Sequence, residues 1–241
     1  MRCAAARRAR MAVAAAGVAA LTALVPAQAD ELKPFEASYS WSWHGVTVAV
    51  STLRLEHGDG DTWSYSSTSE PRGLGRLFPL RPVLRSTLRI TDQGVQPLSF
   101  KAEGSGAAHN ADVSFDWDTE RASGDYEGVA IDMPIRRGIQ DDLSVQIALM
   151  VELLRGQTPE YLSIIDKNSA REYRYRREGT QTVATPQGRF DTVVYSSQHE
   201  GSPRVTRFWC APAAGYLPMR VEQKRIDRIE WTMEIRSFRR D

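Results

Sequence analysis

The sequence predicts a mainly β fold: a large curled antiparallel sheet, a half-barrel or open barrel, wrapped around one buried α-helix. Three observations carry this expectation. A dozen or more short segments alternate apolar and polar residues and are separated by turn signals at hairpin spacing, the mark of an antiparallel meander. Residues 138–156, GIQDDLSVQIALMVELLRG, form the one convincing helical pattern. A sheet this long with one apolar face must curl or close on itself, and a buried helix against its inner face satisfies both elements.

Residues 1–29 read as a signal peptide rather than as part of the fold. Arg2, Arg7, Arg8 and Arg10 form a basic start, residues 11–25 an Ala-rich apolar run, and Ala27-Gln28-Ala29 a small-x-small cleavage site. The run is short for a membrane span, which needs about 20 apolar residues, so no permanent transmembrane anchor is expected. Cleavage after Ala29 leaves residues 30–241 as a single β-rich domain in the periplasm. Cys3 precedes the apolar run, where it cannot serve for lipidation, and Cys210 is then the lone cysteine. A single thiol makes no internal disulfide. Burial as a small apolar residue is its ordinary role, against a sharper reading as a nucleophile.

The strands follow in order. Residues 35–44 alternate, with Phe35, Ala37, Tyr39, Trp41 and Trp43 on one face. Val46, Val48 and Val50 alternate after Gly45, and Leu53 and Leu55 continue on the opposite parity, which suggests a bulge near Ser51-Thr52. The turn at 58–61 leads to a strand at 62–69 with Trp63 and Tyr65 on one face. Strands are then expected at 83–91, 95–103, 112–118 (Val113, Phe115 and Trp117 inward) and 125–132, before the helix.

In the helix, Ile139, Leu143, Ile147, Met150, Val151 and Leu154 share a face, and Val145, Leu149 and Leu153 widen it. Asp141 or Asp142 can accept from the free N–H groups of the first turn and suits the positive end of the helix dipole. Arg155 sits in the last turn, and Gly156 can take the left-handed conformation beyond it. After it, strands are expected at 160–167, 171–178, 189–200, 204–210, 216–225 and, most clearly, at the C-terminal end, where Ile229, Trp231, Met233 and Ile235 face one way.

Residues 71–82, PRGLGRLFPLRP, break the pattern. Their prolines and glycines forbid a central strand, yet Leu74, Leu77, Phe78 and Leu80 are apolar and Arg72, Arg76 and Arg81 basic. The ordinary reading is a loop covering the core. The alternatives are a flap over a cavity or a contact with a membrane surface.

The chemistry-bearing residues are sparse. Formal charge is +1, which removes the main argument for a nucleic-acid partner. His44, His57, His109 and His199 have no metal-type spacing, so neither a metal nor a cofactor is expected. No nucleophile elbow, Walker loop or dinucleotide-binding turn occurs. Asp141-Asp142 could form a carboxylate dyad, but capping explains the pair. A pocket uniting Asp142 with Arg207 would favour an enzyme. The basic run 171–177 reads as a solvated strand face with cross-strand ion pairs, or else as a contact for anionic lipid or glycan. The aromatics are the better clue. Tyr39, Trp41, Trp43, Trp117, Trp209 and Trp231 are expected on inner faces, as core or as the lining of an apolar ligand site with Leu77 and Phe78. Arg76, Arg81 and Arg207 are the candidate anion contacts.

Asp142-x-Ser144, Gly188-x-Phe190-Asp191-Thr192, Arg207-x-Trp209 and Tyr216-Leu217-Pro218-x-Arg220-Val221 give the second half a likeness. It resembles an exported bacterial family known as domain of unknown function 3108. The resemblance implies an envelope protein with an extended antiparallel sheet around a helix, and no activity. The architecture is also similar to that of periplasmic lipoprotein carriers, which by itself does not fix a function. Two expectations follow: carriage of a lipid or other amphiphile, or assembly with an envelope protein partner.

Overall fold

The computed structural model describes residues 31–78, 80–104, 106 and 109–240. The signal-peptide stretch lies outside the described residues. The first eight strands are β1 (Phe35–Trp43), β2 (Val46–His57), β3 (Thr62–Pro71), β4 (Val83–Thr91), β5 (Gly94–Glu103), β6 (Ala111–Asp116), β7 (Arg121–Tyr126) and β8 (Val129–Pro134). A two-residue strand β9 (Ile139–Gln140) and the helix α1 (Ser144–Leu154) come next. The chain closes with β10 (Tyr161–Asp166), β11 (Ser169–Thr185), β12 (Gly188–His199), β13 (Arg204–Ala211), β14 (Leu217–Arg225) and β15 (Arg228–Arg240).

All fifteen strands form one open antiparallel sheet, apart from the parallel β9–β10 pair. Its order is that of two meanders joined at the centre by the pairing of β1 with β15, and its edges are β8 and β9. Local hairpins account for the rest of the pairing except β9–β10, whose parallel strands are connected through the helix. The β1–β15 junction alone must find its partner across almost the whole chain. Bulges in several ladders add twist and bend the sheet inward. The two halves approach each other across the helix, where the Gln140 side-chain amide donates to the Val95 carbonyl at 2.9 Å.

The helix is shorter than its sequence pattern. Ile139 and Gln140 belong to β9, and Asp141 to Leu143 form the turn into the first helical residue. Apolar spacing alone does not distinguish a buried strand residue from a buried helical one. Seven of its eleven residues are buried, including Ile147, Leu149 and Met150. Asp141 is the capping carboxylate. Its Oδ1 accepts from the N–H groups of Leu143 (2.8 Å) and Ser144 (2.7 Å), and Ser144 Oγ accepts from the Asp141 N–H at 2.9 Å. Ser86 Oγ on β4 donates to Asp141 Oδ2 at 2.7 Å, which ties the helix start to the sheet. Gly156 has the expected left-handed φ of 74°.

Other boundaries also shift. The bulge in β2 falls at Val48, opposite Trp41 and Ser42, not at Ser51-Thr52. The expected single strand at 125–132 is the end of β7, a turn at Glu127-Gly128 and the start of β8. Strand β11 runs on to Thr185, past the expected end at 178. A bulge between Arg177 and Gly179 switches its parity and hides the continuation from a period-of-two reading. Its hairpin tip folds against β15, where Gln187 bonds both the N–H and the carbonyl of Phe238. The basic run at the start of β11 is the solvated, ion-paired face expected of it: Arg171 pairs with Asp166 at 2.5 Å and Arg174 with Glu160 at 3.5 Å. Cys210 is fully buried, and burial pushes its thiol up to about 12, so it packs as an inert apolar residue.

Candidate functional site: an apolar cavity under a proline-glycine flap

The inner face of the sheet and the helix do not meet everywhere. A cavity of about 560 Å³ lies between them. Trp41 on β1, Phe208 on β13 and Trp231 on β15 form its aromatic side, and Val145 and Leu149 its helical side. Trp41 and Trp231 pack at 4.9 Å between ring centroids. The roof comes from the flap between β3 and β4, through Gly75, Phe78, Leu80 and Pro82. Ser67, Ser69, Asp142 and Gln146 supply the polar part of the wall among mainly apolar neighbours. This volume and lining suit a small apolar or amphipathic molecule.

Two close backbone approaches seat the flap. Within its 3-10 turn (Gly73–Leu77), a side chain on Gly75 would start 2.0 Å from the Val48 carbonyl oxygen. At the far foot, Arg81 N–H donates to the Gly104 carbonyl at 2.8 Å, and a Cβ on Gly104 would stand 2.0 Å from the Arg81 carbonyl oxygen. Arg72 N–H also donates to Val48 O at 2.7 Å. Only glycine lets the backbones come this close.

Asp142 is the ionisable group of the cavity wall. It lines the cavity and is an exposed residue, so solvent screens its charge in part. Its carboxylate accepts from the Tyr126 hydroxyl. Desolvation, followed by the negative charges of Asp141, Asp166 and Glu127, pushes its pKa up to about 6 against the pull of the tyrosine bond. Between the ordinary value near 4 and the raised one, the folded protein holds a proton that the unfolded chain releases. Stability therefore falls as pH rises through that window. Asp142→Asn is expected to be the more stable protein at pH 7, by about 1 kcal/mol after allowance for screening through the cavity. The gap should close below about pH 3, where the carboxyl is neutral in the folded and the unfolded chain alike. Urea unfolding of both proteins at the two pH values measures it, and an unchanged gap would refute the raised carboxyl.

The structure unites three of the expected lining residues, Trp41, Phe78 and Trp231, and separates the others. Tyr39 is core, 0 % exposed, with its hydroxyl donating to Pro218 O at 2.9 Å. Trp43 keeps the expected parity but lies at the hairpin end and is 55 % exposed. Leu77 is on the outside of the flap. Trp117 falls in a turn beyond β6 and donates to Pro97 O at 2.7 Å. Trp209 was expected inward. Its neighbour Phe208 takes that place, and Trp209 lies on the other face, under the Arg220 guanidinium and donating to Gln181 Oε1 at 2.8 Å. Parity decides this: consecutive strand residues point to opposite faces, and a cationic lid with a side-chain amide can bury an indole on the outer one.

Arg76 and Arg81 line a shallow hollow with Glu70 and Arg72, and Pro71 and Phe78 belong to both this hollow and the cavity. Arg207 pairs with Glu178 at 2.6 Å in a separate outer groove, so it and Asp142 belong to different sites. Tyr175, Phe208 and Leu149 are lining residues that the sequence reading did not assign to a ligand site. Alternation marks Tyr175 and helical spacing marks Leu149 as inward, but neither pattern separates packed positions from accessible ones.

The model of the family described as "Protein of unknown function (DUF3108)" matches residues 35–227. No curated protein matches. Among solved structures, the chain is similar to a beta-barrel-like protein of domain of unknown function DUF1849 from Brucella abortus, at 9% identity and a TM-score of 0.57, over 88% of this chain and 99% of that one. It also matches a protein with a YmcC-like fold from Bacteroides fragilis, described as a candidate exported protein, at 10% identity and a TM-score of 0.40, over 86% of this chain and 96% of that one. The first likeness extends to the fold alone. Among the described residues no helix is long and apolar enough to cross a membrane.

Proposed function

This chain belongs to the DUF3108 family of proteins of unknown function, and from that premise we propose that it binds and carries an apolar or amphipathic molecule of the cell envelope. The observation that carries the reading is the 560 Å³ cavity with its aromatic wall and its separate roof. A core selected only for stability closes such space, because each unfilled void forfeits dispersion contacts and costs stability. The flap adds to this, since it rests on β2 without belonging to any ladder of the sheet and can lift without unpicking one. The basic and apolar start of the sequence supports export, and with it a carrier working in the periplasm.

Native mass spectrometry with lipid extraction, on protein purified from the periplasm, is the direct test. An amphiphile present near one per chain is the expected result and identifies the cargo. A protein that is empty, and that gains no bound molecule when offered envelope lipids, would refute carriage. Ala49 is a cavity-wall residue on β2 with room in front of it. Ala49→Trp is expected to fill that space, to reduce bound amphiphile about 10-fold or more, and to leave stability within about 1 kcal/mol, because the indole enters space that is already open. Ligand loss read by extraction and unfolding read by denaturant separate the two effects.

A further inference from the structure

We infer that the end of the sheet carrying the flap is a docking surface for an anionic phospholipid bilayer. Three connections between neighbouring strands meet there: the β1–β2 hairpin, the flap and the β14–β15 hairpin. Most of the large apolar side chains exposed among the described residues sit on these three. Trp43 and Val46 flank the first hairpin, Leu74 and Leu77 crown the flap at 63% and 77% exposure, and Ile226 and Ile229 hold the third. The flap lies directly on the first hairpin's strand, with Gly73 against Thr47 and Arg72 bonded to Val48. Soluble proteins rarely leave apolar side chains grouped in this way unless something covers them.

Charge selects the partner. Arg76 and Arg81 on the flap and Arg228 on the β14–β15 hairpin have no ion-pair partner among the described residues, while Arg225 beside them also acts on the charge of Glu230. The acids of the same end are partly neutralised: Glu70 pairs with Arg72 and Glu230 with Arg204, each at 2.7 Å, and Asp227 and, at the far foot of the flap, Glu103 remain as opposing charges to the arginines. Apolar tips among unpaired arginines match a membrane interface, where the tips enter the headgroup layer and the guanidinium groups meet lipid phosphate. The cavity provides the purpose. Phe78 and Pro71 join it to the arginine hollow, so docking brings the cavity to the bilayer and spares an acyl chain the passage through water. That purpose rests on the carriage reading; the surface itself does not.

Co-sedimentation of the purified protein with vesicles tests the docking. Binding is expected to be at least about 10-fold stronger to phosphatidylglycerol mixed into phosphatidylcholine than to phosphatidylcholine alone, and to weaken as salt is raised. The double variants Leu74→Ser with Leu77→Ser, and Arg76→Gln with Arg81→Gln, should each reduce binding about 10-fold while leaving the circular dichroism of the sheet unchanged. No binding, equal binding to both vesicles, or undiminished binding by both variants would overturn the proposal, as would capture of an envelope protein in place of vesicles by the same patch. Ala49→Trp separates the two readings. If it loses cargo and keeps vesicle binding, docking and carriage both stand. If the native protein holds cargo and ignores vesicles, docking alone fails, and if it binds anionic vesicles and holds no cargo, carriage alone fails.

Discussion

Asp141→Ala is expected to destabilise the protein by about 3–5 kcal/mol, a large part of the 5–15 kcal/mol that holds a typical domain together. The carboxyl is 0 % exposed and satisfies three donors: the N–H groups of Leu143 and Ser144 and the Ser86 hydroxyl. Alanine strands all three in a site that water does not reach. A missing helix cap in solvent costs about 1 kcal/mol because water replaces it; here each buried orphan costs about 1–3 kcal/mol, with incomplete additivity. Asp141→Asn should cost far less, about 1 kcal/mol, since its carbonyl still accepts from the backbone and the Ser86 hydroxyl can turn to accept from the amide. Ser86→Ala should fall between them. Denaturant unfolding of the three variants ranks these costs, and an Asp141→Ala protein as stable as the native one would show that the helix start is not held as described.

The second large effect is expected at the flap. Gly75→Ala puts a methyl group 2.0 Å from the Val48 carbonyl oxygen, a backbone atom of a paired strand that cannot swing aside. The flap must lift, at a cost of about 1–3 kcal/mol for overpacking a fixed site. Lifting removes Phe78 and Leu80 from the cavity roof. Limited proteolysis within residues 72–81 should accelerate about 10-fold, and bound amphiphile should fall by a similar factor, by opening energies of this size. Leu74→Ala is the control, because that side chain is 63% exposed and points away from the seat. Equal protease resistance in Gly75→Ala and the native protein would mean that the flap does not rest on β2.

The distance between the two effects has a structural cause. Asp141 joins helix to sheet from within, so its loss is felt as global stability. Gly75 joins the flap to the sheet from outside, so its loss is felt at the cavity. A protein that must hold a guest and release it needs these two attachments to be separately adjustable, with the weaker one at the door.

The sequence by itself determined the mainly β class, most of the strands, the one helix and the curled sheet that must cover it, because alternation and helical spacing are local. It missed β9 inside the helical pattern and the division of 125–132 between β7 and β8, where short runs carry no clear period. It marked residues 71–82 as a segment that could not be a central strand, and it found Trp41, Phe78 and Trp231 as inward candidates. Tertiary structure decided what local patterns do not encode. The joining of β1 to β15 depends on two ends of the chain meeting. The face of Trp209 depends on which of two adjacent aromatics points inward, and Arg220 and Gln181 made the outer position tolerable. The seating of the flap depends on two glycines reaching carbonyl groups that are remote in sequence. The cavity depends on all of these, since an inward-facing residue looks the same in sequence whether its neighbour across the gap touches it or stops short.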